Sequence, residues 1–245
     1  MPPAAQMALL FASGLVAGVV NAVAGAGSMI TLPALMYAGG LGASVANATN
    51  RIAVLVQSLS ATESFRRQEI PGLRAGLVLA IPACVGALGG AWLATVLSEA
   101  TLRRVMGVVF LAVLLPMLRP PKAGAGPVRA TPATMVAFLF LGVYGGFVQV
   151  GIGILILTLF SMLGMSLVEG NVAKVVTVAA LTLVALALFA SKSLVAWRPG
   201  LVVAAGSAIG GWIGARLSAK RGERLIRAFV IVAAIASSLQ LLGVV

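Results

Sequence analysis

Of the 245 residues, 61% are apolar and 22 are charged: 17 Lys or Arg against five Glu, with no Asp and no His. A soluble domain carries about 25% charged residues, and the 9% found here is too little to cover a globule with a wet surface. The composition excludes a soluble protein and predicts an all-α polytopic membrane protein whose first partner is the lipid bilayer. A net charge of +12 would point to nucleic acid in a soluble chain. Here the basic residues fall in short connections between apolar runs, where membrane topology places them, and no nucleic-acid partner is expected. Cys84 is the single cysteine, so no internal disulfide forms. Without His or Asp, there is little from which to build a metal centre or an acid/base site, so neither a cofactor nor an enzymatic activity is expected. The tail Met1–Gln6 lacks a basic n-region, which predicts that the first apolar run is retained.

Charged and Pro/Gly-rich breaks divide the chain into eight apolar segments, at 7–38, 45–63, 74–96, 101–118, 132–163, 170–190, 199–216 and 225–243. The first and fifth run to about thirty residues, whereas about 20 cross a bilayer. An unbroken helix of that length would reach ~46 Å against a ~30 Å hydrocarbon core. Both are therefore predicted to break, at Gly25-Ala-Gly27 and at Gly151-Ile-Gly153, with Pro33 a second irregularity in the first. The stretch Arg119–Thr131 is rich in Pro and Gly and carries three positive charges. It predicts a first transmembrane repeat over 1–118, a cytoplasmic linker over 119–131 and a second repeat over 132–245.

The two halves are copies. From Asn47 to Arg103 an ungapped offset of 124 pairs Asn47 with Asn171, Phe65 with Phe189, Gly86 with Gly210 and Arg103 with Arg227. Upstream the offset becomes 128 and pairs Gly14 with Gly142, Gly18 with Gly146, Asn21 with Gln149 and Gly25 with Gly153. If each broken segment crosses once, the loop Lys/Arg count is 8 on one side against 7 on the other. If each forms a helical hairpin returning to its own side, the count becomes 11 against 4, with the 63–74, 119–131 and 216–227 connections together. The positive-inside bias favours the hairpins and hence an inverted repeat with six spans and both termini outside.

Two cations lie inside apolar runs, Arg51 after Ala46-Asn-Ala-Thr-Asn50 and Lys174 after Gly170-Asn-Val-Ala173. A charge at mid-bilayer costs about 2.5–3.5 kcal/mol, so such residues tend to line a polar pathway, although snorkelling to a headgroup is the plainer explanation. The glycine breaks add half-helix starts whose N–H groups and dipole suit an oxyanion. Candidate substrate-binding residues are therefore Arg51, Lys174, Asn47, Asn50, Asn171, Asn21, Gln149, Gly25, Gly27, Ser28, Gly151 and Gly153, with Thr31 a further donor. The Gly-xxx-Gly pairs read instead as close helix packing. Glu63 and Glu169 read as interfacial, and Trp92, Trp197 and Trp212 as interface or packing aromatics.

The run Gly14-Leu-Val-Ala-Gly18-Val-Val-Asn21-Ala-Val-Ala-Gly25-Ala-Gly27-Ser28, continuing to Leu32-Pro33 and Ala46-Asn-Ala-Thr-Asn50-Arg51, resembles the TauE/SafE family of sulfite and organosulfonate exporters. The duplicated layout and the length match as well, while Ala26 and Ser28 stand where family members carry a denser glycine run. The resemblance implies a multi-pass transporter of a bacterial-type inner membrane that exports a small anionic substrate such as sulfite or sulfoacetate. An anion channel, or an ion-coupled uptake permease for an organic anion, are the other functions these residues fit. The small-residue helix faces would suit a homodimer.

Overall fold

The computed structural model describes residues 3–118 and 131–218, and every regular element in them is helical. Residues 119–130 of the linker expected over 119–131, the eighth segment at 225–243 and Arg227 lie outside the described residues. Among the described residues, four helices are long and apolar enough to cross a membrane: α1 (Pro3–Ala24), α4 (Leu73–Val96), α8 (Leu167–Ser191) and α9 (Trp197–Ser218). On α4 the division of faces is plain. Leu77, Ile81, Val85 and Trp92 point outward at helical spacing, while Gly76, Ala83, Gly86, Ala87 and Gly90 face inward. An apolar exterior around a core of small residues is the arrangement lipid selects.

The first segment breaks where expected. Gly25 takes a left-handed backbone (φ 77°), ending α1 one residue earlier, and α2 (Ser28–Pro33) restarts after Gly27. Pro33 lacks an N–H, and the chain widens into a single π-helical turn, Ala34–Ala38. This second half folds back along α1, because Gln6 Nε2 donates to the Ala38 carbonyl at 2.5 Å.

The second break lies slightly earlier than the repeat offset predicts. α6 (Pro132–Phe147) ends before Val148, and left-handed residues at Gln149 and Gly151 lead into α7 (Ile152–Met162). Gly153 is thus inside α7 rather than in the break, and its lack of a side chain serves a close approach described below.

Glycines set how the long helices lie together. α1 runs alongside α9 in the same direction: Gly14 meets the Val203 carbonyl, Gly18 meets Ser207 and Gly210, and Gly214 meets Val19 and Ala22. α4 runs alongside α6 in the same way, with Gly142 on Ala83, Gly146 on Ala87 and Gly90 on Val143. The polar helix α3 (Ala43–Arg66) parallels α9, since Ser60 donates to the Ala208 carbonyl and Ser64 to that of Trp212. Against α8 it runs the opposite way, with Arg51 near Phe189 and Phe65 packed with Val172 and Val175. α3 starts under a cap from α5 (Glu99–Leu118), where the Glu99 carboxylate accepts from the Ala43 and Ser44 amides. Partial burial pushes that carboxyl up, but these amides and Arg103 pull it further down, leaving it below the ordinary carboxylate range.

Several other charged residues pair or cap near helix ends. Glu63 pairs with Arg66 at 2.6 Å and with Arg67 at 2.8 Å, and Arg67 and Arg216 both lie over the Trp212 ring. Glu169 closes a capping box with Ser166 at the start of α8. Trp92 and Trp197 are exposed.

Candidate functional site

The first helix break packs against the start of α7, immediately after the second. A Cβ on Gly25 would fall 2.5 Å from the Gly153 carbonyl carbon, and one on Gly153 would fall 2.5 Å from Gly25 Cα. These two residues correspond in the duplication, so equivalent points of the two halves touch backbone to backbone. Tyr144 braces the second break, its hydroxyl donating to the Val150 carbonyl.

Buried polar side chains collect around this contact. The Gly27 amide donates to Asn21 Oδ1 at 3.2 Å, and Asn21 Nδ2 donates to Gln57 Oε1 at 2.5 Å. Asn50 bridges two hydroxyls, accepting from Thr31 at 2.5 Å and donating to Ser28 at 3.1 Å. From the other half, Gln149 Nε2 donates to Thr182 Oγ1. Two narrow cavities open among these groups, each with space for about one water-sized guest. Asn21, Gly27, Ser28, Thr31 and Gln57 line the first; Asn21, Ser28, Ser58, Gln149, Gly153 and Lys174 line the second.

The two buried cations hold helix ends, each from the opposite half. Arg51, fully buried, reaches from α3 to the C-terminus of α6. Its guanidinium donates to the carbonyls of Gly145, of Gly146 at 2.8 Å and of Phe147 at 3.3 Å, and lies 5.3 Å from the centre of the Phe189 ring. Lys174 reaches from α8 to the C-terminus of α1, donating to the carbonyls of Asn21 at 3.1 Å and Ala22 at 3.0 Å. The last carbonyls of a helix lack intrahelical donors and carry the negative end of its dipole, so a cation there answers both needs. Neighbouring asparagines complete each cap. Asn47 donates to the Phe147 carbonyl at 2.8 Å and accepts from Arg51, while Asn171 accepts from Lys174 at 2.6 Å and donates to Ser218.

Of the residues singled out from sequence, Asn21, Gly27, Ser28, Gln149, Gly153 and Lys174 thus gather at the cavities, and Gly25 packs between the breaks. Asn50 stands behind Ser28, and Gly151 shapes the entry to α7. Arg51, Asn47 and Asn171 line neither of these two cavities and sit at helix ends. Sequence reasoning missed Gln57, Ser58 and Thr182. Ser58 and Thr182 correspond under the 124-residue offset, and a Gln-Ser pair within an apolar run was the available signal.

The family model described as sulfite exporter TauE/SafE matches residues 10–241. A "Probable membrane transporter protein" of Haemophilus influenzae is 32% identical over 92% of this chain and 90% of its own length. The "Probable membrane transporter protein YfcA" of Escherichia coli K12 is 28% identical over 96% of the chain and 89% of its own length. A third relative, "Probable membrane transporter protein ORF9" of a Sinorhizobium species, is 27% identical over 97% and 92%. No solved structure matches the chain.

Proposed function

Given that this multi-pass membrane protein belongs to the sulfite exporter TauE/SafE family, we propose that it exports a small sulfur oxyanion or organosulfonate across the inner membrane of a bacterium. The observation that carries this reading is the meeting of two broken helices, Gly25 against Gly153, beside buried polar side chains and the Lys174 ammonium. Discontinuous helices at a repeat interface are where membrane transporters bind their substrates. Lys174 has three N–H groups, and three hydrogen bonds occupy them in this conformation. Its contribution to the anion is therefore its charge, felt through the low-dielectric wall of the cavity. Arg51 supplies the matching charge in the other half and fixes the end of α6. The anion's oxygens take their hydrogen bonds from uncharged donors on the cavity walls.

An inverted repeat accounts for the helix directions. α1 and α3 run one way, their counterparts α6 and α8 run the other, and the return of Ala38 to Gln6 supports a hairpin in the first half. Each cavity has room for about one water and none for the anion in this closed conformation, and rocking of one half against the other about the Gly25–Gly153 contact would open the site to either side. Efflux needs no coupling ion: moving one negative charge out of an inside-negative cell gains about 2.3 kcal/mol per 100 mV.

Counterflow in proteoliposomes preloaded with sulfite, sulfoacetate or taurine tests the reading. We expect saturable exchange of at least one of the three above protein-free liposomes. Conductive flux without counterflow would replace the transporter by a channel, and no protein-dependent flux of any of them would remove the substrate class.

A further inference from the structure

The wall of the first cavity carries a donor whose direction the backbone dictates. An amide side chain can usually be turned end for end without visible consequence, but not here. The Gly27 N–H can only donate, so Asn21 must present Oδ1 to it. Asn21 then turns its NH2 toward Gln57, and Gln57 must answer with Oε1, which also accepts from Ser58 at 3.4 Å. The NH2 of Gln57 is thereby directed away from this chain of bonds. Gln57 is 1% exposed, its Nε2 is buried without a hydrogen-bond partner, and the residue lines the first cavity. An unsatisfied buried donor costs about 1–3 kcal/mol, and an acceptor entering the cavity would recover it.

We propose that Gln57 is a substrate-binding residue whose carboxamide NH2, oriented by the Gly27–Asn21 pair, donates to an oxygen of a small sulfur oxyanion. This rests on the transport reading above and adds the direct ligand that the committed Lys174 ammonium does not supply. The helix break thus both sets the local backbone and, through Asn21, fixes the polarity of a side chain on the neighbouring helix. Acceptor-bearing anions are favoured by that polarity. A cation at the same place would face the Gln57 N–H without an acceptor from that side chain.

Three variants in sulfite counterflow test it, each compared with wild type at the same pH so that the ionisation of sulfite cancels. Gln57→Met keeps the length and removes the donor, and raises half-saturating sulfite about tenfold or more. Gln57→Glu keeps the acceptor for Asn21 but places a carboxylate in the cavity. It is inactive at alkaline pH and recovers relative to wild type as the pH falls and the carboxyl regains a donating O–H. Asn21→Asp still accepts from Gly27 but must now also accept from Gln57, turning the Gln57 oxygen into the cavity, and it weakens sulfite about as much as Gln57→Met. Size-exclusion profiles and thermal unfolding establish that the variants are folded. All three lying within twofold of wild type, with no pH-dependent recovery, would overturn the assignment while leaving the transport reading intact. A wild type inactive toward sulfite, sulfoacetate and taurine alike would instead refute the transport reading, and if it exchanges one of the other two, the variants are compared in that substrate.

Discussion

Gly25→Ala lowers the stability of the protein by about 3 kcal/mol or more and abolishes transport. Two costs combine at this position. A left-handed backbone costs a non-glycine residue roughly 1–2 kcal/mol, and Gly25 has φ 77°. The added methyl would also lie 2.5–2.7 Å from Gly153 backbone atoms on α7, which cannot swing aside as a side chain would. Separating the breaks to admit it would pull Asn21 and Lys174 away from the cavities as well. Gly89→Ala is the internal control. Gly89 lies on the exposed face of α4 with open space where the methyl would go, so the change is neutral or stabilising by up to about 1 kcal/mol. Thermal unfolding in detergent compares the two directly.

Arg51→Met is the second large effect, a loss of about 3–5 kcal/mol in the same assay. Methionine fills much of the same volume but leaves the Gly145, Gly146 and Phe147 carbonyls without the guanidinium, in a medium that offers no water to replace it. Arg51→Lys keeps the charge but cannot span three carbonyls from one nitrogen, and falls between the two. A residue that only snorkelled to a headgroup would tolerate either change, with unfolding temperatures close to wild type.

Much of the architecture was legible in the sequence because it rests on local rules. Excess segment length and Gly25 identified the first break, and the second is displaced by only a few residues because left-handed backbone at Gln149 and Gly151 ends α6 early. Apolar run length marked the helices, and the glycines at four-residue spacing mark the α1–α9 and α4–α6 contacts. What the cations touch was not legible. Arg51 and the carbonyls it caps are separated by 94 to 96 residues, Lys174 and its own by 152 and 153, and backbone carbonyls leave no trace in residue identity. Gln57 was hidden for a related reason. Its significance depends on a buried, unpartnered atom, which exists only once α3 has been placed against the Asn21 turn of α1.

The division of labour at the site follows from the same geometry. Arg51 and Lys174 hold the helix ends at the two breaks, uncharged amides and hydroxyls line the cavities, and the small-residue faces hold the halves close enough for Gly25 to touch Gly153. Lys174 is where these roles converge, because it both caps α1 and lines a cavity. Sulfite counterflow by Lys174→Gln in proteoliposomes therefore separates the charge of this residue from its capping of α1. Glutamine retains N–H donors for the α1 carbonyls while removing the positive charge, so the fold is kept and the electrostatic contribution is isolated. Electrostatic attraction of the anion by Lys174 predicts a folded variant with sulfite exchange reduced at least about tenfold. Exchange equal to wild type would contradict it.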